Sequence, residues 1–436
     1  MQKAEEKAVA CYQSGNFAAA LRSLSEMLAN MIMPAIAARF FIYFFDFPEF
    51  FSVFGCKIPT FMFLIFLVLV MAISLICCGG TLTLVITDAI QGMFCYPLLT
   101  IMIIFVLCKF SWSTEIVPVM MDRVPGESFL NPFDIENMRD FNLFMLFMGF
   151  VTILMHSASW LGAGTTSSAR SPHEQKMAGM LGTWRNMLGV VFYLLVAVMV
   201  IVVLNHSHFA PQAKEIRTRL SERIAGDVVE DGSLRTRLIA NVRAIPEQQH
   251  EIGKDEPLSD KKNLDTIYLD TVHRTLLEKE NGNAVFREFK TLYYQLMLAV
   301  SMRHVLPPVI LGLFALLMIL AMLSTDDSRI YSASLTITQD VIMPFCSKDV
   351  IVPFRKKGFT PEQHIWVIRI VSIGVGVFFF FGSFFMAQLD YINLFVTLMT
   401  SIWLGGCGPV MLFGLYSKFG TTAGAFTSLI SGMFMA

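Results

Sequence analysis

Charged residues are scarce in this sequence. They make up 15% of its 436 residues, whereas soluble domains contain about 25%. Hydrophobic residues make up 55%, including 40 phenylalanines. A disordered chain needs the opposite balance and is excluded. The composition also argues against a soluble protein and predicts one that crosses a lipid bilayer several times.

Several chemical signatures are also missing. The formal net charge is -1, which gives no electrostatic basis for binding nucleic acid. No two of the eight cysteines have C-x-x-C spacing, which is typical of metal and redox sites. There is no P-loop, G-x-S-x-G or Gly-rich dinucleotide motif. We therefore expect neither an enzyme nor a cofactor.

Long apolar runs recur along the chain. A helix that crosses a membrane needs about 20 apolar residues, and bacterial barrel strands would alternate, which these runs do not. We therefore predict an all-α polytopic protein. Its spans lie near 26–46, 60–79, 88–108, 142–164, 186–205, 302–325, 365–388 and 391–416, and a ninth begins near 421.

Basic residues beside the spans predict the orientation, because cytoplasmic links are enriched in Lys and Arg. The links 165–185 and 345–363 are basic, and the link 109–140 is acidic. This places the N-terminal segment, residues 1–25, in the cytoplasm. We predict a multi-pass protein of the plasma (inner) membrane.

A hydrophilic stretch at 206–297 is too long for a simple connection. We predict an extracellular helical insert, which divides the transmembrane part into residues 26–205 and 298–436. A ligand-binding role for this insert stays open. His206 and His208 form an H-x-H pair in it, which favours solvated side chains over a metal site.

Polar side chains at membrane depth are costly and therefore indicate functional sites. At the end of the sixth span, small and hydroxylated residues share one helical stripe: Ala321, Ser324, Thr325, Ser328 and Ser332. Hydroxyl and carbonyl oxygens are suitable ligands for a hard cation. Alternatively, these hydroxyls bond carbonyls one turn back in a packed helix.

Asp88 opens the predicted third span, which follows Gly79 and Gly80. It predicts either a cap of the helix N-terminus or a second cation or proton site. Asp327 and Ser328 are the other candidates for that second site. Coupling to protons through Asp88, Asp326 or Asp327 is therefore an alternative to coupling to sodium.

Two Gly-rich stretches predict further features. SASWLGAGTTSSAR at 157–170 predicts a broken helix that exposes backbone groups to a central cavity. Trp160 either stacks on a solute there or packs at the interface. Gly405, Gly406 and Pro409 in the eighth span predict either a kink or close helix packing.

Four segments resemble the sodium:solute symporter family and occur in its order. They are GGTLTLVITDAIQ at 79–91, SARSPHEQKMAGMLGTWR at 168–185, STDDSRIYSASLTITQD at 324–340, and GGCGPVMLFGLYSKFGTTAGAFTSLISG at 405–432. The resemblance implies the five-plus-five inverted-repeat fold of the leucine transporter. It also implies uptake of a small organic solute driven by a sodium gradient.

The resemblance also implies roles for particular residues. Sodium would bind the Ala321 carbonyl and the Ser324 and Thr325 hydroxyls. Asp88 stands where some members have an acid linked to a second cation. Ser159 and Trp160 fall near the substrate-contacting turn.

The resemblance further implies that this sequence lacks the first two core helices. We therefore expect a truncated member that does not transport by itself. A transporter-derived solute sensor, or a fragment without transport activity, is the alternative.

Overall fold

The computed structural model describes the chain as packed helices. It describes residues 2–53, 56–137, 147, 149–151, 153–154, 169–259, 263–278, 281–343, 360–385, 392–417 and 420–435. The longer helices are α1 (Gln2–Asn30), α2 (Met33–Phe45), α3 (Thr60–Lys109), α4 (Val117–Met121), α5 (Pro172–Asn205), α6 (Ala210–Val228), α7 (Gly232–Arg243), α8 (Thr266–Leu276), α9 (Gly282–Val305), α10 (Pro308–Thr336), α11 (Pro361–Phe385), α12 (Ile392–Tyr416) and α13 (Thr422–Met435).

The described residues contain few strands. A short antiparallel hairpin pairs β1 (Phe50–Val53) with β2 (Cys56–Pro59). Six helices of the described part are long and apolar enough to cross a membrane. The predicted all-α polytopic class is therefore confirmed.

Helix α3 contains both the second and the third predicted spans. It is 50 residues long and is interrupted at Gly80, where φ is 57° and ψ is -142°. Glycine reaches this positive φ at no steric cost, so the chain bends there into two arms. The second arm begins directly after Gly80, and Asp88 lies about two turns inside it. The prediction that Asp88 caps a helix is therefore wrong.

The predicted bounds of the sixth span are also wrong. Helix α9 continues to Val305, and α10 begins only at Pro308, because consecutive prolines cannot continue a helix. Helix α10 runs to Thr336 and passes into a π-helical turn, Ile337–Ile342. The polar residues at 324–328 consequently lie inside the span and not at its end.

The first and fifth predicted spans correspond to helices whose ends differ from the predicted ones. The first corresponds to the apolar segment Gly15–Phe45. The fifth begins at Pro172, where the Ser171 side chain caps α5 by accepting from the Glu174 N–H. The fourth, at 142–164, falls mostly outside the described residues.

The membrane-spanning helices pack as antiparallel neighbours. The second arm of α3 runs beside α10, and the first arm runs beside α11. Phe61 contacts Phe384 and Phe66 contacts Phe380, with ring centroids 6.0 and 6.4 Å apart. Buried aliphatic and aromatic side chains fill the space between these helices, among them Ile65, Leu69, Ile330, Val375 and Phe379.

Helices α12 and α13 cross at glycines. A Cβ atom on Gly432 would lie 2.2 Å from the backbone nitrogen of Gly406. Only glycine therefore fits in both helices at this point. Helix α12 also continues past Pro409 as helix. The sequence left a kink or close helix packing open for Gly405, Gly406 and Pro409, and the structure shows close helix packing.

The predicted insert is helical. Helices α6 to α9 enclose a core of apolar side chains, including Ile216, Leu220, Leu238, Val272 and Phe289. Helix α9 runs from Gly282 to Val305 and therefore continues across the predicted end of the insert at residue 297.

A buried ion pair joins three helices of the insert. The Arg217 Nε lies 2.5 Å from the Asp265 Oδ1, and the Tyr293 hydroxyl donates to the same oxygen over 3.1 Å. Burial, together with the charge of Asp265, raises the pKa of Tyr293 well above its usual value, so its hydroxyl stays a donor. Asp265 is the only carboxylate that pairs with Arg217 among the described residues.

We expect Asp265→Asn to destabilise the insert strongly, because the guanidinium of Arg217 would stay buried without a counter-charge. The free energy of local unfolding of the insert should fall by about 3–5 kcal/mol. Amide hydrogen exchange in α6 and α8 measures this quantity. Glu278→Gln is the matched control, because it breaks the exposed Arg237–Glu278 pair, which contributes about 0–1 kcal/mol. Equal losses in both variants would contradict the assignment.

Candidate functional site

Helix α10 carries a group of polar residues at membrane depth. Its sequence from Leu323 reads LSTDDSR, in the middle of a helix that is otherwise apolar. Asp326 is 5% exposed and Asp327 is 0% exposed. Two carboxylates so placed need compensation from neighbouring groups, because an isolated buried charge is costly.

A third carboxylate reaches this group from another helix. The Ser324 hydroxyl donates to the Asp88 Oδ1 over 2.6 Å, across 236 residues of sequence. A second hydrogen bond links the same helices two turns away, between the hydroxyls of Thr81 and Tyr331. The sequence analysis placed Ser324 and Asp88 in separate candidate sites, and the structure brings them together.

Thr325 has a different environment. Its hydroxyl donates to the Ala321 carbonyl over 2.6 Å, one turn back in the same helix. This is the packed-helix alternative that the spacing left open. The two oxygens are therefore adjacent, but the Thr325 side chain is exposed and has no hydrogen bond to another described helix.

The two acids of α10 have few partners. Arg329 lies one turn on, and its Nη1 is 3.4 Å from the Asp326 Oδ1. The Ser328 hydroxyl donates to the Asp327 Oδ1 over 3.3 Å. The Oδ2 atoms of both acids are buried without a hydrogen-bond partner among the described residues. These oxygens are available to a cation or a proton.

Asp327 lies three residues after Ser324 in α10, about one helical turn from the contact with Asp88. With the Ser324 contact, this gives a polar cluster of Asp88, Ser324, Asp327 and Ser328 between α3 and α10. Sequence reasoning missed Arg329 as a partner of Asp326. The i, i+3 spacing of the two residues was the available signal.

Other predicted site residues lie outside the cluster. Ser159 and Trp160 fall outside the described residues, as does most of the stretch around them. In the H-x-H pair, the His208 Nδ1 lies 2.9 Å from the Glu115 Oε1, and the His206 Nε2 lies 3.3 Å from the Thr114 carbonyl. Among the described residues, no three or more His, Cys, Asp or Glu side chains are grouped so that they could hold a metal ion.

The part of the chain that contains α10 matches a known family. Residues 292–432 match the model of the sodium:solute symporter family. These are 141 of the 436 residues, and over them the chain is similar to that family. Its members are membrane transporters that use Na⁺ as the coupling ion. A search of curated proteins finds none that matches the chain.

We expect Ser324→Ala and Thr325→Ala to differ in stability, although they are adjacent. Ser324→Ala removes a charge-assisted hydrogen bond between helices and should cost about 1.5–3 kcal/mol. Thr325→Ala removes only a bond within α10 and should cost less than about 0.5 kcal/mol. Unfolding of the detergent-solubilised protein by sodium dodecyl sulfate measures both. Equal losses would show that the Ser324–Asp88 contact contributes nothing.

Proposed function

We propose that this protein is a sodium-coupled symporter of a small organic solute. Sodium binds on α10 at the Ala321 carbonyl and the hydroxyls of Ser324 and Thr325. Asp88, Asp327 and Ser328 form an adjacent acidic site. The hydrogen bond between Ser324 and Asp88 carries this proposal, because it joins the two sets of oxygens across two helices.

The chemistry of the polar cluster supports a cation. All its groups present oxygen, which hard cations prefer over nitrogen or sulfur. The Asp327 Oδ2 is buried and has no hydrogen-bond partner among the described residues. Two carboxylates in one low-dielectric site are both ionised only when a positive charge lies near them. A sodium ion at this position supplies that charge.

The same group of acids favours a second candidate, coupling to protons. A proton on Asp88 or Asp327 would relieve their repulsion as a sodium ion does. Asp88 reaches α10 at Ser324, three residues before Asp327. Sodium is the first choice, because it is the coupling ion of the family.

We propose an architecture in keeping with the family. The helices follow the five-plus-five inverted-repeat arrangement of the leucine transporter. Residues 1–25 lie in the cytoplasm, the insert lies outside, and the protein resides in the plasma (inner) membrane. Ser159 and Trp160 contact the solute in this scheme.

Transport proceeds by alternating access around a site at the membrane midplane. An ion held between α3 and α10 stabilises the state in which these helices are together. If this state also binds solute more tightly, sodium raises the affinity for solute. By linkage, solute must raise the affinity for sodium by the same factor.

Equilibrium binding of ²²Na⁺ to the purified protein tests the site. We expect Asp88→Asn and Ser324→Ala to weaken binding about tenfold or more, because each removes a charged or charge-assisted ligand. Ser332→Ala is the matched control, because it removes a serine hydroxyl from the same helix two turns away. If the two site variants bind ²²Na⁺ as tightly as the wild type, the site is wrong.

A measurement of protons in the same experiment separates the two candidates. If protons occupy the acids before sodium binds, sodium addition releases protons into a weakly buffered solution, and Asp327→Asn reduces the release. If sodium binds and no protons are released, the acids are ionised beforehand and the proton candidate fails. Proton uptake without any sodium binding would favour the proton candidate.

A further inference from the structure

A cavity lies away from the polar cluster, at the bend of α3. It has a volume of about 600 Å³ and lies between the Gly80 bend, the end of α10 and the start of α11. Ile76, Leu335, Ile365 and Ile368 give it apolar walls. The cavity is therefore lined largely by apolar side chains and lies at the ends of membrane-spanning helices.

The bend itself creates this space. Gly80 has a positive φ of 57°, and a Cβ atom added to it would meet nothing within 4 Å. The space beside Gly80 is therefore open at the bend. The Thr81 hydroxyl, directly after the bend, pairs with the Tyr331 hydroxyl at the cavity wall.

One positive charge lines the cavity. Arg369 is the only Lys, Arg, Asp or Glu among its lining residues, and no ion pair involves it in the described part of the chain. Its guanidinium lies 5.3 Å from the ring centroid of Trp366. An arginine without a carboxylate leaves its hydrogen-bond donors available to an anion.

A second polar group lacks a partner in the same place. The His364 Nε2 is buried and makes no hydrogen bond to any described residue, although it belongs to a cavity-lining residue. Gln339 also lines the cavity. A buried nitrogen without a partner is rare in folded proteins. Together these groups can donate hydrogen bonds to one oxyanion.

The surroundings favour an anion that carries an apolar chain. Trp366 is 60% exposed, Ile365 is 51% exposed and Ile370 is 63% exposed, so α11 presents an apolar face beside the cavity. Tryptophan and arginine together are typical of the membrane–water interface. Basic pockets between helices at that depth bind lipid head groups.

We propose that this cavity binds the phosphate of an anionic ligand through Arg369 and His364, with an apolar chain lying along α11. The chemistry shared by the possible ligands is a phosphate group. It comes either from a phospholipid of the adjacent leaflet or from a soluble phosphate. This site is separate from the sodium site, and the proposal does not depend on sodium coupling.

Native mass spectrometry of the full chain, released from detergent, tests the proposal. The probes are dioctanoyl phosphatidylglycerol, which is anionic, and dioctanoyl phosphatidylcholine, which is zwitterionic. We expect one tightly bound phosphatidylglycerol. Arg369→Gln should weaken its binding about tenfold or more, because a charge-assisted contact is lost. His364→Phe should weaken it less, and Arg369→Lys should retain part of the affinity.

Arg185→Gln is the matched control. Arg185 also stacks on an aromatic ring, at 5.5 Å from the Tyr96 centroid, but it does not line this cavity. The Arg185→Gln variant should bind phosphatidylglycerol as tightly as the wild type does. Equal weakening in Arg369→Gln and Arg185→Gln would overturn the proposal, as would equal affinity for the two lipids.

Competition with potassium phosphate distinguishes the two sources. If millimolar phosphate displaces the lipid from the wild type, the site accepts a soluble phosphate. If it does not, the phospholipid is the ligand, and the apolar chain contributes to binding. Both results support the proposal only when Arg369→Gln has lost the lipid and Arg369→Lys has kept part of its affinity.

Discussion

Placing carboxylates inside a membrane-spanning helix is the constraint on which this structure depends. Asp326 and Asp327 lie in the middle of α10, away from water. Such groups are stable only when neighbouring helices supply hydrogen bonds or opposite charge. Here Arg329 pairs with Asp326, and the second arm of α3 brings Asp88 to Ser324. Packing and candidate chemistry therefore occur at the same residues.

The bend at Gly80 makes this arrangement geometrically available. It lets one helical element pack its first arm on α11 and its second arm on α10. The same bend opens the cavity beside Arg369. One glycine thus positions both an acid at membrane depth and a basic pocket near the end of the bundle. A residue with a Cβ atom would be strained at this φ.

Local features of the sequence predicted what is local in the structure. The stripe from Ala321 to Ser328 follows from helical spacing, and so does the Thr325–Ala321 contact. The Ser324–Asp88 contact spans 236 residues, and no spacing rule reaches that far. The predicted sixth span ends too early because its acids read as a helix end, although Arg329 and Ser328 of α10 are their partners inside the helix. The prolines before Val309 then set its true start.

A double-mutant cycle in ²²Na⁺ affinity tests most directly whether Asp88 and Ser324 hold one ion. Contacts that belong to one site do not add, whereas independent sites do. The account predicts that Asp88→Asn combined with Ser324→Ala binds sodium no more weakly than the weaker single variant. If the two losses multiply in the double variant, the residues act separately, and the site between α3 and α10 is not a single sodium site.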